Sequence, residues 1–384
     1  MHRWDLIVIG TGAVGSAALR AAGEAGARVL GIEQFTPANL RGSSHGHSRI
    51  FRHAYFEHAD YVPLLRHSTA RFESLEQASG ESLLHRCGVL LMGGPTSGAV
   101  RGSLDSAVRW QLAVDALDAA ALRTRFPWFG VPDDAIGSFE PDAGIVRPEV
   151  SVHAAIRVAR AHGAELLTTT RVQRIDEDAA GVVVHTAQGI ERAGAVIVCA
   201  GAWTARLLPE LAPLLRVTRQ VQTWVAPRAG TDATGMPCWL LDRGPDQPAV
   251  YGLAPGPQAI EANPNSPTSL PKVALHGSDD LVDPEAGARP PDDSDLERVH
   301  RAYSGIAPGL AGEVMAAATC LYTMSPDGNF LLGTRRGSRR THFAAGLSGH
   351  GFKLSPALGD ALCDLALHGR TALPVGFLSP DRFG

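Results

Sequence analysis

Two arginines near the N-terminus are the first residues whose type and spacing could do chemistry. Arg49 and Arg52 lie three residues apart in Arg41–His53, a segment rich in Gly, Ser, His and Arg that is typical of a loop. On a helical turn the two guanidinium groups would share one face. Such a pair could bind a carboxylate through a bidentate fork or cover a ring system. A solvated basic loop explains the same residues at least as well.

Three further candidates lie on two predicted strands. Lys272 and His276 are the ends of the run Lys272-Val-Ala-Leu-His276, so both side chains point to one face of a strand. Tyr251, in the predicted strand Ala249–Leu253, could face the same cavity. The pattern alone favours a simpler arrangement, in which an edge strand places Lys272 and His276 in water.

Cys320 and Lys353 are the candidates in the C-terminal part of the chain. Cys320 lies within Ala318–Ser325, where a redox cofactor could be held, although a free cysteine is most often a small buried hydrophobe. Lys353 follows the glycine-rich segment Gly346–Gly351, which joins a predicted strand to a predicted helix. That helix N-terminus would be receptive to an anion. The alternative for Lys353 is a solvated lysine at a helix start.

The histidine and cysteine spacings do not indicate a metal site. His45, His47, His53 and His58 fit no standard set of ligands. The cysteines show no C-x-x-C spacing, and their odd number argues against a disulfide framework. The five are Cys87, Cys199, Cys238, Cys320 and Cys363.

The elements that must position these residues begin with a dinucleotide-binding βαβ unit. A buried strand, Asp5–Ile9, leads into Gly10-Thr-Gly12-Ala-Val-Gly15, a helix over Ser16–Ala25, and a strand over Arg28–Ile32. Gly10 allows the tight turn, Gly12 lets the backbone approach a pyrophosphate, and Gly15 lets helix and strand pack closely. Glu33 can accept hydrogen bonds from a ribose. The pattern does not separate FAD from NAD.

The remaining elements predict an α/β fold, α+β overall, with two interleaved domains. Residues 1–85, 146–215 and 318–384 form a Rossmann-type FAD-binding domain, and residues 86–145 and 216–317 form a mixed-sheet substrate domain. Helices are predicted over 62–80, 111–128, Val152–His162, Ser294–Ala307 and Ser355–His368, with a capping box at Ser294 and Glu297. The other predicted strands are Val89–Met92, Leu166–Ile175, Gly181–His185, Ala195–Cys199, Val217–Val225, Trp239–Asp242, Phe330–Gly333 and Thr341–Ala345.

Composition narrows the class of protein. The chain has 384 residues, 45% of them hydrophobic, and a formal net charge of −4. This balance is globular and argues against a general nucleic-acid binder. No apolar run is long enough to cross a membrane, and the N-terminus lacks a signal-peptide pattern, so a cytoplasmic protein is expected.

With these motifs in view, the chain resembles the monomeric sarcosine oxidase and N-methyltryptophan oxidase family of flavoenzymes over almost its whole length. The most specific motifs are Cys320-Leu-Tyr-Thr and Arg49-Ile-Phe-Arg-His53, found together. Further matches are Gly10–Gly15, Gly42–Tyr55, Gly88-Val-Leu, Arg219-Gln-Val, Tyr251-Gly, Lys272–His276, Pro326-Asp-Gly-Asn-Phe and Gly346–Lys353. The resemblance implies the fold of D-amino acid oxidase-like flavoproteins, and it favours FAD over NAD.

The resemblance also implies roles for particular residues. Cys320 matches the cysteine bonded to the FAD ring, and Arg49 matches an arginine beside the flavin. Arg52 and Lys353 would pair with a substrate carboxylate, Lys272 would act where oxygen meets the reduced flavin, and His276 and Tyr251 would position the amine. The other residues expected to bind the cofactor are Gly10, Gly12, Gly15, Glu33, Arg41, Ser43, Ser44, His45, Gly349, His350 and Gly351.

The implied reaction is oxidation of a secondary amino acid, N-methyl or cyclic, to an imine, with oxygen reduced to hydrogen peroxide. The expected partners are the amino acid and oxygen, with no nucleic acid, membrane or metal, and a monomer is expected. Phe56–Asp60 and Leu253–Pro271 depart from the sarcosine oxidase pattern, which leaves N-methyltryptophan, pipecolate or a sugar-modified amino acid open as substrates. The alternatives are a deaminating glycine or D-amino acid oxidase with non-covalent FAD, an NAD-dependent dehydrogenase, and a non-catalytic flavin-binding subunit.

Overall fold

The computed structural model describes residues 3–255 and 269–384. Part of the predicted substrate-shaping loop, residues 256–268, lies outside the described residues. The strands are β1 (Trp4–Ile9), β2 (Val29–Ile32), β3 (Arg49–Phe51), β4 (Leu84–His85), β5 (Val89–Gly93), β6 (Asp115–Asp118), β7 (Ile136–Glu140), β8 (Gly144–Val146), β9 (Glu165–Leu167), β10 (Val172–Asp178), β11 (Gly181–Thr186), β12 (Gly189–Val198), β13 (Arg216–Val225), β14 (Cys238–Asp242), β15 (Ala249–Leu253), β16 (Lys272–His276), β17 (Val314–Met324), β18 (Leu331–Thr334) and β19 (Thr341–Ala345).

The helices pack partly against one another and partly against strands. They are α1 (Ala13–Glu24), α2 (Tyr61–Ser79), α3 (Gly98–Trp110), α4 (Ala119–Arg125), α5 (Pro148–Ala161), α6 (Thr204–Leu207), α7 (Asp293–Tyr303) and α8 (Ser355–His368). Short 3-10 turns cover Gly201–Trp203, Pro209–Leu214, Pro308–Leu310, Phe352–Leu354, Gly376–Leu378 and Pro380–Phe383. Within residues 3–255 and 269–384, no helix is both long and apolar enough to cross a membrane.

The first sheet carries the predicted βαβ unit. Its order is β10-β11-β12-β1-β2-β9, and β19 also pairs with β12 while β18 pairs with β19. Strands β2, β1, β12 and β19 run parallel, so their carboxyl ends meet at one edge. Helix α1 packs against both α5 and α8 on one face of this sheet. Gly359 makes the close approach of α8 possible, because a Cβ there would lie 2.6 Å from the backbone nitrogen of Ala18.

The second sheet faces that edge. Its eight strands follow the order β17-β13-β16-β15-β14-β5-β7-β6, and a small third sheet has the order β3-β8-β4. Strand β16 pairs with β13 on one side and β15 on the other, so the edge-strand interpretation of Lys272 and His276 is wrong. The boundary drawn between residues 317 and 318 falls inside β17, which belongs wholly to the second sheet. The division into two domains otherwise stays a prediction.

Three element predictions differ from the structure for local reasons. The helix predicted over 111–128 is β6 followed by α4, because the Asp118 side chain caps α4 by accepting a hydrogen bond from the Ala121 amide at 2.8 Å. The strand predicted over Leu166–Ile175 is two strands, because Thr169 has a φ of +50° and the chain turns there. Helix α7 starts earlier than predicted, since Asp292 rather than Ser294 forms the capping box, with Asp295 as its partner.

Candidate functional site

The glycine loop after β1 is built for close backbone approach. Gly10 has a φ of +82°, which favours glycine. A Cβ on Gly15 would lie 1.7 Å from the Gly10 carbonyl oxygen, so only glycine lets α1 start directly above this turn. The N-cap residue of α1 is Gly12, which has no side chain to accept hydrogen bonds from the first amides of the helix. The Ala13 amide donates to the Ser44 hydroxyl at 3.1 Å. The helix N-terminus therefore faces an open space suited to a phosphate group.

Glu33, directly after β2, stands where a ribose would bind. Its carboxylate accepts hydrogen bonds from the Thr11 amide at 2.9 Å and the Phe35 amide at 3.0 Å. These two bonds fix the carboxylate and leave lone pairs that could accept from hydroxyl groups.

One cavity runs from this loop to the second sheet. At one end Gly10, Gly12, Glu33 and Ser44 line it, and at the other end Lys272, His276 and Lys353 do. The sequence candidates that line it are Gly10, Gly12, Glu33, Ser43, Ser44, Arg49, Arg52, Tyr251, Lys272, His276, Cys320, Gly349, His350, Gly351 and Lys353. Gly15, Arg41 and His45 are not part of the wall.

Arg49 and Cys320 meet in the middle of this cavity. Arg49 lies on β3 and not on the helical turn considered from the sequence. Its Nη1 donates to the Ser48 carbonyl at 2.8 Å, its Nη2 donates to the Ser43 carbonyl at 2.9 Å, and Nη2 also lies 3.8 Å from Cys320 Sγ. Cys320 is a free cysteine, 4% exposed. Its thiol is thus held beside a fixed positive charge on the cavity wall.

Lys272 is buried with all three of its donors engaged. Its Nζ lies 3.0 Å from the Gly46 carbonyl, 2.6 Å from the Ser48 carbonyl and 3.1 Å from Gln222 Oε1. Burial, and then the charge of Arg49, lower the pKa of Lys272 well below its ordinary value. An ammonium group has three N–H bonds, so this arrangement saturates it.

Lys353 has a different hydrogen-bond balance. Its Nζ donates to the His350 carbonyl at 2.8 Å and to the Tyr55 hydroxyl at 3.4 Å. One donor is left without an acceptor among the residues the structure describes. His350 Nε2 lies 3.0 Å from the Gly328 carbonyl, which can only accept, so Nε2 carries the ring proton. Nδ1 is then an acceptor, and the Tyr55 hydroxyl donates to it at 2.6 Å. This chain of contacts fixes where Lys353 points.

Arg52 has an internal partner that the sequence analysis did not find. Its Nη2 lies 2.7 and 2.6 Å from the two carboxylate oxygens of Glu57, and its Nη1 donates to the Ala54 carbonyl at 2.7 Å. Burial, the largest single effect, would raise the pKa of Glu57, but the surrounding positive groups, Arg52 first, together with the Arg52 hydrogen bond outweigh it, and the pKa falls to about 2. Both terminal nitrogens of Arg52, which a substrate carboxylate was expected to bind, are therefore engaged within the chain, Nη2 by Glu57 and Nη1 by Ala54.

Two tyrosines and a histidine form the far wall. His276 Nδ1 lies 3.3 Å from the Tyr322 hydroxyl, and the Tyr251 ring lies 6.3 Å from the His276 ring. Burial lowers the pKa of His276. Gly349 makes room for this group, because a Cβ there would lie 2.2 Å from the Tyr322 ring.

The two remaining candidates lie behind the cavity wall. Arg41 is exposed, and its guanidinium carbon lies 5.0 Å from the centre of the Phe35 ring. His45 is 1% exposed, and burial followed by the Arg49 charge lowers its pKa to about 4. Among residues 3–255 and 269–384, the side chains offer no hydrogen-bond partner to the His45 ring nitrogens or to the buried Gln222 Nε2. The glycine cradle and these orphaned polar atoms on and behind the wall fit a large polar cofactor such as FAD.

Four residues of the site were missed from the sequence: Tyr55, Glu57, Gln222 and Tyr322. A signal existed for Tyr322, because it stands two residues after Cys320 on one strand and so shares its face. Gln222 shares a face with Gln220 in the same way, opposite β17. Nothing in the sequence pairs Glu57 with Arg52, since both lie in irregular chain.

A parallel βαβ unit, its glycine loop and the cavity at the carboxyl ends of its strands define a dinucleotide-dependent oxidoreductase. Residues 5–365 match the model of the family described as FAD dependent oxidoreductase. The chain therefore belongs to the FAD dependent oxidoreductase family, in the group of monomeric sarcosine oxidase and N-methyltryptophan oxidase. This confirms the family, the fold class and FAD as the cofactor.

The similar proteins support this placement. The chain is 38% identical to a monomeric sarcosine oxidase of Streptomyces avermitilis, over 99% of this chain and 97% of that protein. It is 35% identical to an N-methyl-L-tryptophan oxidase of Salmonella newport, over 99% and 98% of the two chains. Among solved structures, NikD, described as an unusual amino acid oxidase essential for nikkomycin biosynthesis, has a TM-score of 0.84 at 28% identity, covering 99% and 98% of the two chains.

Proposed function

We propose that this protein oxidises the carbon–nitrogen bond of a secondary amino acid, N-methyl or cyclic, and passes the electrons to oxygen, which leaves as hydrogen peroxide. The observation that carries the proposal is the single cavity, which joins the glycine loop and Glu33 to a cationic and aromatic end. The names of the similar oxidases support the class of substrate.

FAD would be held along the whole cavity. The start of α1 faces the phosphate groups, Glu33 binds the ribose, and Cys320 holds the ring system covalently through its sulfur. When bound, FAD supplies an acceptor for a hydride and a donor of electrons to oxygen. The support for Cys320 is its free thiol in the wall, with the Arg49 guanidinium 3.8 Å away.

The substrate carboxylate would bind Lys353. Its unoccupied donor and its fixed position behind Tyr55 provide one charge-assisted hydrogen bond. Arg52 can bind the carboxylate through both terminal nitrogens only where its present partners are displaced, because Nη2 contacts both carboxylate oxygens of Glu57 and Nη1 donates to the Ala54 carbonyl. Lys353 is thus the primary carboxylate ligand.

The amine would lie against His276, Tyr251 and Tyr322. Burial lowers the pKa of His276, so the ring is neutral and does not repel a cation or compete for a proton. Burial also raises the pKa of Tyr322, so its hydroxyl keeps its proton and can donate. This group orients a neutral amine, and no residue is assigned as a strong base.

Lys272 would act in the oxygen step through its charge. Its three hydrogen bonds hold the ammonium in place, and a fixed positive charge stabilises an anion that develops as oxygen accepts electrons. Burial lowers the pKa of Lys272, and hydrogen bonds to three acceptors favour its charged form.

A peroxide-release panel tests the proposal. Purified holoenzyme is offered sarcosine, N-methyltryptophan, pipecolate, a fructosyl amino acid, glycine and D-alanine, and peroxide and consumed oxygen are measured. We expect a secondary amino acid to give the highest kcat/KM. Highest activity on glycine or D-alanine would contradict the proposal in favour of a deaminating oxidase.

Acid precipitation separately tests Cys320: flavin should stay with the wild-type pellet and move to the supernatant in Cys320→Ala.

A further inference from the structure

Two cysteines far apart in sequence meet in the wall behind the cavity. Cys87 and Cys238 are 151 residues apart, and their sulfur atoms lie 3.8 Å from each other. Cys87 lies two residues before the first residue of β5, Val89, and Cys238 is the first residue of β14, the parallel neighbour of β5. The Cys238 amide donates to the Gly88 carbonyl at 3.0 Å, so the backbones are already joined beside the pair. Closing the sulfurs to a bond of about 2.0 Å therefore needs side-chain rotation and little backbone movement.

The two thiols differ in the way that a reacting and a resolving cysteine differ. Cys87 is half-buried, whereas Cys238 has 0% exposure. The Cys238 thiol lowers the pKa of Cys87, while burial raises the pKa of Cys238 well above its ordinary value. Cys87 is thus the thiol that ionises first and that a small reagent reaches first. Cys199 and Cys363, with pKa values raised to about 12, have no such partner among the described residues.

The pair also lies close to the proposed source of an oxidant. Cys87 and Cys238 pack in one apolar cluster with Leu240, Leu253 and Tyr251. Those three residues line the cavity where oxygen would be reduced. The Cys87 and Cys238 thiols therefore stand directly behind the cavity wall.

We propose that Cys87 and Cys238 are a peroxide-sensitive dithiol that closes to a disulfide. The Cys87 thiolate attacks one oxygen of hydrogen peroxide and becomes a sulfenic acid, and the other oxygen leaves as water after taking a proton. Cys238 then attacks the Cys87 sulfur, and the sulfenic oxygen leaves as a second water. Two thiols lose two electrons and two protons, and one peroxide becomes two waters.

The disulfide would tie the start of β5 to β14. Leu240, two residues after Cys238 on β14, lines the cavity, so the bond fixes one segment of its wall. A crosslink that closes so long a loop also restricts the unfolded chain. The oxidised protein should therefore have a higher Tm than the reduced protein.

The test uses the holoenzyme and added hydrogen peroxide, and so does not depend on the proposed function. After treatment the protein is denatured, its free thiols are alkylated, and its peptides are mapped by mass spectrometry. We expect two fewer alkylated thiols, a peptide pair joined through Cys87 and Cys238, and reversal by dithiothreitol. Unchanged thiols, a different pairing, or Cys87 oxidised to sulfinic acid beside a reduced Cys238 would overturn the proposal.

Three variants sharpen the result. Cys238→Ser should stop at the Cys87 sulfenic acid, which dimedone labels, and Cys87→Ser should form neither the acid nor the crosslink. Cys363→Ser, a matched control in α8, should crosslink as the wild type does. In a second arm, the added peroxide is replaced by turnover of an amino acid that the enzyme oxidises, with and without catalase. If the crosslink formed with added peroxide but not during turnover, the proposal of a peroxide-sensitive dithiol would stand and the result would count against the proposed function.

Discussion

The charge on Lys353 gives the proposed carboxylate site a defined pH dependence. Burial, and then the Arg52 charge, lower the pKa of Lys353 to about 7, while Glu57 acts in the opposite direction. The pKa of His350, which holds Lys353 through Tyr55, is lowered to about 4 by burial, so His350 stays neutral above that pH. Lys353 therefore changes charge near neutral pH at this end of the cavity.

The expected size of the effect follows from one charge-assisted hydrogen bond. Such a bond contributes about 1.5–3 kcal/mol, which is roughly a 10- to 100-fold difference in affinity. The sign is fixed, because Lys353 is charged below its pKa and neutral above it. Carboxylate affinity should be constant below about pH 6 and fall by that factor between about pH 7 and pH 9, since bound carboxylate raises the pKa.

The assay is the dissociation constant of isobutyrate, a carboxylate without an amine, measured by the change in flavin absorbance. Lys353→Met should bind weakly and independently of pH, and should match the wild type at the alkaline limit. Lys353→Arg keeps its charge throughout and should lose the alkaline decline. The assignment would be refuted if the dissociation constant of Lys353→Met changed with pH as that of the wild type does. It would also be refuted if the wild-type dissociation constant did not change with pH.

Three other changes give further predictions. Lys272→Met should slow the oxygen half-reaction more than the amine half-reaction in stopped-flow measurements, and equal effects would rule out its role. Gly15→Ala places a Cβ 1.7 Å from the Gly10 carbonyl oxygen, so flavin content after purification should fall sharply, and full occupancy would contradict the close-packing argument. Arg219→Ala removes one of three arginines that contact the buried Asp295, leaving Arg289 at 2.9 Å and Arg298 at 3.1 Å, and it takes a buried donor from the Arg289 and Pro290 carbonyls, so it should lower the free energy of unfolding by about 1–3 kcal/mol in urea titration. A loss under about 1 kcal/mol would show that the pair behaves as an exposed one.

Local pattern was enough to predict the elements whose signals are local. The strand Lys272–His276 and the helix Ser355–His368 occur with the predicted bounds, and the glycine motif follows β1 as expected, although α1 begins within it at Ala13 and not at Ser16. Helix α3, Gly98–Trp110, was not predicted, because its glycine and serine residues disfavour a helix by propensity. Ser97 was the available signal, since its side chain caps the helix by accepting from the Val100 amide.

The position of β16 could not be predicted, because it depends on pairings between distant parts of the chain. Its neighbours β13 and β15 bury Lys272 to 2% exposure, although its own sequence alternates like an exposed edge. The contact of Cys87 with Cys238 is missing from the sequence for the same reason, whereas Arg52 and Glu57 lie only five residues apart but in irregular chain. Spacing reveals partners within one element, and these partners come from different elements or from irregular chain.

The two lysines of the cavity show what such partners decide. By residue type, Lys272 and Lys353 are equivalent, and burial lowers the pKa of both. Gln222 separates them, because its Oε1 takes the last donor of Lys272, while Lys353 keeps one donor that its neighbours do not use. A saturated ammonium can act on a reacting oxygen only through its field, whereas an unsaturated one can bind a carboxylate directly. The count of acceptors around each nitrogen therefore supports the proposed roles of Lys272 in the oxygen step and of Lys353 in binding the substrate carboxylate.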